Sequence, residues 1–207
     1  TFTDPVSKSS RAGLVDAQID VWDGHAEFID QHTLKIDGES ISSEKFVIAT
    51  GQRPGRLTQI QNQELMETST DFLKMEQLPN EIAFVGGGYI AFELAMIASG
   101  AGAKVHIIHH NQRPLKAFPK EYVDNLIQQL ESQGVEFHLD IDLKSVESQD
   151  QRLKLSDNQN FEQVVDRVFV TAGRKPNDDA LNLKNIGVQT DAGGIVVNQY
   201  LESTVDN

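Results

Sequence analysis

Cysteine is absent from the 207 residues. Within them there is no disulfide, no thiolate metal site and no cysteine nucleophile. Basic residues are scarce as well, 18 against 31 acidic, for a formal net charge of −13. So acidic a surface repels phosphate backbones and anionic lipid, and neither nucleic acid nor a membrane is expected as a partner. No apolar run approaches the roughly 20 residues that a membrane helix needs. The opening TFTDPVSKSSR has neither the apolar core of a secretory signal nor an initiator methionine. The expectation is a cytoplasmic chain cut or processed from a longer one. What is present is ordinary for a globular protein: 39% apolar and 24% charged residues, in a length that allows one or two domains with their own cores.

Residues 16–49 read as short strands between turns. DAQIDVW, AEF, HTLKI and ESIS are the β-rich runs, punctuated by Asp-Gly, Asp-Gln-His and Asp-Gly. KFVIAT then reads as a buried strand that ends at Gly51 and is stopped by Pro54. From Gln52 to Asn80 the chain is irregular and polar, with a helical turn at STDFLKM opened by a Ser-Thr-Asp capping cluster. From Glu81 the pattern changes to strand (EIAFV), glycine turn and helix (GGGYIAFELAMIASGAG) and second strand (KVHIIHH). PKEYVDNLIQQLESQG is an amphipathic helix with Tyr122, Val123, Leu126, Ile127 and Leu130 on one face, closed by Gly134. VEFHLDI, KSVESQ, RLKLSD and RVFVT supply further strands, and after AGRKPN the chain turns loop-like. The fold class expected is α/β: a parallel sheet covered by helices, with an antiparallel β-meander.

Gly86-Gly87-Gly88-Tyr89-Ile90-Ala91 fits G-x-G-x-x-G/A between a strand and a helix. Gly86 permits the tight turn. Gly88, without a Cβ, lets a pyrophosphate approach the backbone at the helix N-terminus, where free N–H groups and the helix dipole favour an anion. Ala91, Ala95 and Ala98, at helical spacing, let the helix lie close on the sheet. Strand, turn, helix and second strand in that order point to a Rossmann-type dinucleotide site.

The residue about 20 positions beyond the glycines sets the nucleotide choice, because a carboxylate there accepts from the ribose 2′-OH of NAD and repels a 2′-phosphate. From Gly88 to His109 is 21 positions, and the segment runs His109-His110-Asn111-Gln112-Arg113-Pro114-Leu115-Lys116 with no acid before Glu121. Arg113 and Lys116 are cations suited to a 2′-phosphate, with His109 a third donor if its pKa rises beside one. NADPH is expected over NADH. His109 and His110 are adjacent on a strand, so they point to opposite faces and do not chelate one ion. With no HxxxH or HExxH spacing either, no metal site is expected.

Four blocks in order, Gly24-His25-Ala26, VIATG at 47–51, VGGGYIAFELA at 85–95 and VFVTAGRKPN at 168–177, resemble the pyridine nucleotide–disulfide oxidoreductase family, most of all its glutathione reductase and mercuric reductase branch. The resemblance implies that 1–51 is the tail of an FAD domain, 52–174 an NAD(P) domain, and 175–207 a truncated return toward flavin. It implies that His25, Ala26, Thr50 and Gly51 lie beside FAD. Tyr89 then covers the nicotinamide pocket and Glu93 lines it, while the spacing beyond the glycines sets His109, His110, Arg113 and Lys116 at the nucleotide. Gly173 and Arg174 form the crossover loop near both cofactors. The family's first glycine motif, its Cys-x4-Cys pair, its Gly-Asp flavin contact and its dimer domain with a His-Glu pair are not among these residues. The expectation is therefore the NADPH-binding portion of an FAD-dependent, homodimeric disulfide reductase, with no catalytic group of its own. An NAD(P)H oxidase or ferredoxin reductase relative, and a non-catalytic nucleotide-sensing module, are the alternatives.

Overall fold

The computed structural model describes residues 4–206. The chain divides into two compact units, Thr1–Gly51 with Pro176–Asn207, and Gln52–Lys175.

The first unit opens with helix α1 (Asp4–Asp16), whose side chains from Pro5 onward are exposed, with Arg11 on Asp23 at 2.5 Å. No helix is expected there, although Pro5 lies in the first turn, where its fixed φ and missing N–H are tolerated. The strand expected in DAQIDVW does not form. Asp16 ends α1, and Ile19 and Trp22 are about half exposed on an extended segment. Strands β1 (Ala26–Asp30), β2 (Thr33–Ile36) and β3 (Glu39–Ser42) make an antiparallel meander. Asp37 and Gly38 join β2 to β3, and both take positive φ, 47° and 104°. That is the two-residue turn whose twist matches the strands it connects.

KFVIAT, expected as a buried strand, is not one. Phe46 and Ile48 pack against the core of Phe28, Leu181, Leu183, Ile186 and Val188, while Val47 is 92% exposed. The segment alternates inward and outward like a strand, yet pairs in no sheet among the described residues. Alternation without a neighbouring strand yields an extended segment rather than a ladder.

The second unit begins with β4 (Gln52–Pro54), β5 (Glu67–Thr68) and the short helix α2 (Ser69–Leu73). Its cap is Thr68, one residue before the expected cluster. Asp71 N–H donates to Thr68 Oγ1 at 3.4 Å and Thr68 N–H to Asp71 Oδ2 at 2.8 Å, a reciprocal capping box. Then come β6 (Glu81–Val85), α3 (Tyr89–Gly100), β7 (Lys104–His109), α4 (Lys120–Ser132) and β8 (Val135–Leu139). Strands β9 (Ser145–Gln149), β10 (Arg152–Ser156) and β11 (Glu162–Val165) form a second meander, followed by β12 (Arg167–Val170) and β13 (Arg174–Pro176). The return segment adds only the two-residue strands β14 (Thr190–Asp191) and β15 (Gly194–Ile195).

The parallel sheet has the order β5-β12-β6-β7-β8. One face carries the helices, with Ala91, Ala95 and Ala98 of α3 fully buried against Ile82, Phe84, Val105 and Ile107. The other carries the β9–β11 meander, whose Val146, Leu155 and Val165 cover Ala83, Val85, Ile108, Val168 and Val170. Burial on both faces explains why EIAFV, KVHIIHH and RVFVT read as continuous apolar runs. In α4, Val123 and Leu130 are buried as expected, but Tyr122 is 66% exposed. Gly134 ends the helix at φ 89°.

A polar network ties the amino ends of β6 and β7 to the meander. Glu81 bonds Arg152, His106 Nε2 at 2.9 Å and Lys104 at 3.2 Å. Asp166 accepts from Arg152 Nε and from Glu81 N–H, each at 2.9 Å. Burial pushes the Glu81 carboxyl up, but the bonds from His106, Arg152 and Lys104 outweigh it and hold it at about 2, against an ordinary 4.5. A carboxyl so depressed is linked to roughly 3 kcal/mol of stability, fully present above the unfolded pKa and lost as pH falls from 4.5 toward 2. Urea unfolding should find Glu81→Gln less stable than wild type at pH 7, with the gap closing between those two pH values. A gap that stays constant across that range refutes the assignment.

Candidate functional site

The site begins where β6 becomes α3. Gly86 has φ 128°, and a Cβ there would lie 2.7 Å from Ala172 N and 2.9 Å from Ala172 Cβ. Both conformation and space demand glycine. Gly87 is packed just as closely on the other side, where a Cβ would meet His109 Cγ at 2.6 Å and Pro114 Cβ at 2.8 Å. Gly88 differs. Its φ of −90° suits any residue, and the nearest atom to a Cβ would be Thr171 O at 3.9 Å. The space is open on the side from which a ligand would approach.

Gly88 is also the N-cap of α3, and no side chain caps that helix end. Its first turn carries no acid. The leading N–H groups and the positive end of the dipole are therefore unopposed by any acid of that turn, which suits a phosphate. Ile90 is partly buried against the helix-side core and Ala91 fully so. Tyr89 is 54% exposed, and Glu93, four residues on along the same helix, is exposed too.

The loop after β7 folds back onto this turn. Leu115, in the left-handed region at φ 48°, donates its N–H to Gly87 O at 2.8 Å. Arg113 Nη2 donates to Phe118 O at 2.5 Å, while its Nε is buried without a partner. Lys116 is exposed. The structure thus brings Gly86–Gly88, His109, Arg113 and Lys116 into one neighbourhood through a backbone hydrogen bond and a buried proline. Nothing in the residue pattern pointed to Leu115 or Pro114.

His109 does not match the cation expected of it. Its exposure is only 9%, and burial, followed by the nearby His110 and Lys116, lowers its pKa below 6.5. It stands as a neutral imidazole walling Gly87, its Nδ1 buried and unpartnered. Nor do the two histidines diverge. His109 is the last residue of β7, so the strand's alternation ends there, and its ring meets that of the exposed His110 edge-on at 4.8 Å.

Beside Gly86, a cleft of about 440 Å³ opens along the carboxyl ends of β6, β7 and β12, lined by Val85, Ile108, His110, Leu143 and Ala172 among others. Ligands in open α/β sheets bind at this end. Gly173, at φ 74°, accepts Gly55 N–H at 3.1 Å, and Arg174 Nη2 donates to Gln52 O at 2.7 Å. These bonds hold the unit's two crossing segments together.

The remaining predicted residues lie in the first unit. His25 and Ala26 border a groove of about 390 Å³ with Lys35, Asp37 and Ala180. Thr50 and Gly51 are exposed, their carbonyls accepting from Asn177 Nδ2 at 2.9 Å and Asn177 N–H at 3.0 Å.

The family model for pyridine nucleotide-disulphide oxidoreductases matches residues 7–207. The chain belongs to that family. The chain is 33% identical over 187 residues to mercuric reductase from Staphylococcus aureus, covering 87% of itself and 34% of that protein. It is 32% identical over 188 residues to glutathione reductase from Burkholderia cepacia, covering 90% of itself and 42% of that protein. In structure it superposes on the HOCl-induced flavoprotein disulfide reductase RclA from Escherichia coli with a TM-score of 0.89 at 28% identity, covering 97% of this chain and 47% of that one. The chain thus spans a third to a half of the lengths of the relatives it matches. The family is one of FAD-dependent oxidoreductases that bind pyridine nucleotides, and the expected mixed α/β fold is present. No helix among the described residues is long and apolar enough to cross a membrane.

Gly86 and Gly88 should separate by substitution. Gly86→Ala is expected to cost on the order of 3 kcal/mol, from strain and the clash with Ala172. Gly88→Ala should cost about 1 kcal/mol or less yet weaken pyridine-nucleotide binding. Thermal unfolding and nucleotide titration of both variants check this; unaltered binding by a folded Gly88→Ala protein removes the glycine turn from the site.

Proposed function

We propose that the second unit is the NADPH-binding domain of a flavoprotein disulfide reductase, and that the first unit belongs to its FAD domain. The observation that carries the reading is the uncapped N-terminus of α3 behind a glycine with open space at its Cβ position. A dinucleotide pyrophosphate has the charge and the size for that cradle.

The chain's own residues divide the work. The N–H groups at the start of α3 hold the pyrophosphate. Arg113 and Lys116, on the loop pinned to Gly87 by Leu115, hold the 2′-phosphate, and Arg113 Nε is a buried donor still lacking an acceptor. No carboxylate stands between His109 and Glu121 to repel it. His109 fixes the turn as a neutral wall and can accept or donate a single hydrogen bond through Nδ1. Tyr89 and Glu93 take the nicotinamide end, with Tyr89 moving aside on binding. Gly173 and Arg174 keep the crossing segments together, and His25, Ala26, Thr50 and Gly51 take the flavin side. When bound, the nicotinamide supplies a hydride to flavin, and a disulfide-type acceptor outside these residues receives the electrons.

Calorimetric titration tests the assignment. NADPH should bind more tightly than NADH by about 1.5–3 kcal/mol, the range for hydrogen bonds to a charged group. Lys116→Glu should shrink that difference. Equal affinities, or a preference for NADH, reject the 2′-phosphate site. The purified chain should also be colourless, because the described residues offer a single glycine turn; flavin absorbance at stoichiometric level contradicts this.

A further inference from the structure

Midway along β7, on the face away from the helices, three potential metal ligands meet through strand register. Glu136 and His138 are two apart on β8, so they share a face, and the β7–β8 pairing sets His106 beside Glu136. That face is turned toward the β9–β11 meander, where Phe161 packs edge-on against the His138 ring at 5.1 Å. His106 Nδ1 lies 3.0 Å from His138 Nε2 and 3.3 Å from Glu136 Oε2, and the third side, His138 Nε2 to Glu136 Oε2, is 3.9 Å. Ligand atoms about 2.0–2.1 Å from a tetrahedral Zn²⁺ stand about 3.3–3.4 Å from one another. The triangle is already one face of such a tetrahedron.

The surrounding bonds orient the ligands. His106 Nε2 is 2.9 Å from Glu81 Oε1, and the same carboxylate carries Arg152 and, at 3.2 Å, Lys104. Two fixed cations keep Glu81 an acceptor, so His106 bears its proton on Nε2 and turns the bare Nδ1 into the cluster. A carboxylate behind a histidine in this way raises the basicity of the ligating nitrogen. Glu136 is divided between its two oxygens: Oε1 takes Lys104 at 3.2 Å, and Oε2 faces the histidines.

A plain hydrogen bond from His138 Nε2–H to His106 Nδ1 explains one side of the triangle. It leaves the Glu136 oxygen facing an imidazole lone pair at 3.3 Å, an arrangement that a cation between them relieves. The His106 side chain is fully buried, His138 is 23% exposed and Glu136 47%, so an ion enters from the Glu136 side and keeps a position for water.

We propose that His106 Nδ1, His138 Nε2 and Glu136 Oε2 form a site for a borderline divalent transition ion, represented by Zn²⁺, with water as the fourth ligand. Two imidazoles and one carboxylate select such an ion over Mg²⁺ or Ca²⁺, which prefer oxygen-rich shells. On binding, the His138 proton moves from Nε2 to Nδ1, a change of tautomer without net proton loss. The ion cross-links β8, the edge strand of the sheet, to β7. The expectation of no metal site weighed spacing along the chain, whereas these residues meet only through strand pairing.

The test is calorimetric titration of Zn²⁺ into the full chain after chelation and buffer exchange, with the nucleotide site left intact. One equivalent should bind to wild type. His138→Gln and Glu136→Gln should each weaken that binding at least tenfold, and Glu81→Gln, acting through His106, by about 10–100-fold. Circular dichroism and NADPH titration of the same variants establish that each is folded, so loss of the metal site is separable from loss of the nucleotide site. His25, His32, His109 and His110 remain in every variant. Wild type binding Zn²⁺ no more tightly than His138→Gln overturns the proposal, as does a ¹⁵N spectrum in which the His138 tautomer is unmoved by Zn²⁺.

Discussion

The structure of the larger unit depends on the need to bury β6, β7 and β12 on both faces. Ile82, Ala83, Phe84, Val105, Ile107, Val168 and Phe169 are wholly removed from solvent. Neither face can be left bare, because apolar burial, worth about 25 cal/mol per Å², is the main force opposing chain entropy. The helices cover one side, and the β9–β11 meander covers the other. α3 approaches closely because alanine, not a larger residue, meets the sheet at positions 91, 95 and 98.

That layering leaves only the strand ends for polar chemistry, and the two ends are used differently. At its carboxyl end β6 stops against glycines, so backbone N–H groups and a helix dipole come to the surface. At the amino ends, side chains rather than backbone make the polar surface: Glu81, Lys104, Arg152 and Asp166, with His106 drawn beneath the meander. The first arrangement suits an anion, and the second is a set of ion pairs closed on itself; the cation site proposed above lies between them, at His106, Glu136 and His138.

The loop after β7 shows how far residue pattern carries and where it stops. The missing acid and the presence of Arg113 and Lys116 are visible in the chain. That His109 is buried, neutral and pressed against Gly87 is not, because depth of burial depends on Pro114 and Leu115 folding back over it. A histidine's charge is set by its surroundings, and those surroundings are distant in sequence. The same limit applies to KFVIAT. Its apolar alternation is real, but a strand needs a neighbour to bond with, and pairing is not a local property.

By itself, then, the sequence determined the elements whose cause is local: the glycine turn, the amphipathic face of α4, the Asp37-Gly38 hairpin and the doubly buried apolar strands. It also determined the family, because four short blocks in a fixed order survive without any knowledge of packing. Only the tertiary structure decided which cations stand free, which histidine is neutral, and that Glu136 and His138 meet His106. The reason is register. A one-residue slip of β8 against β7 would turn both ligands to the opposite face, and nothing within either strand alone fixes that alignment.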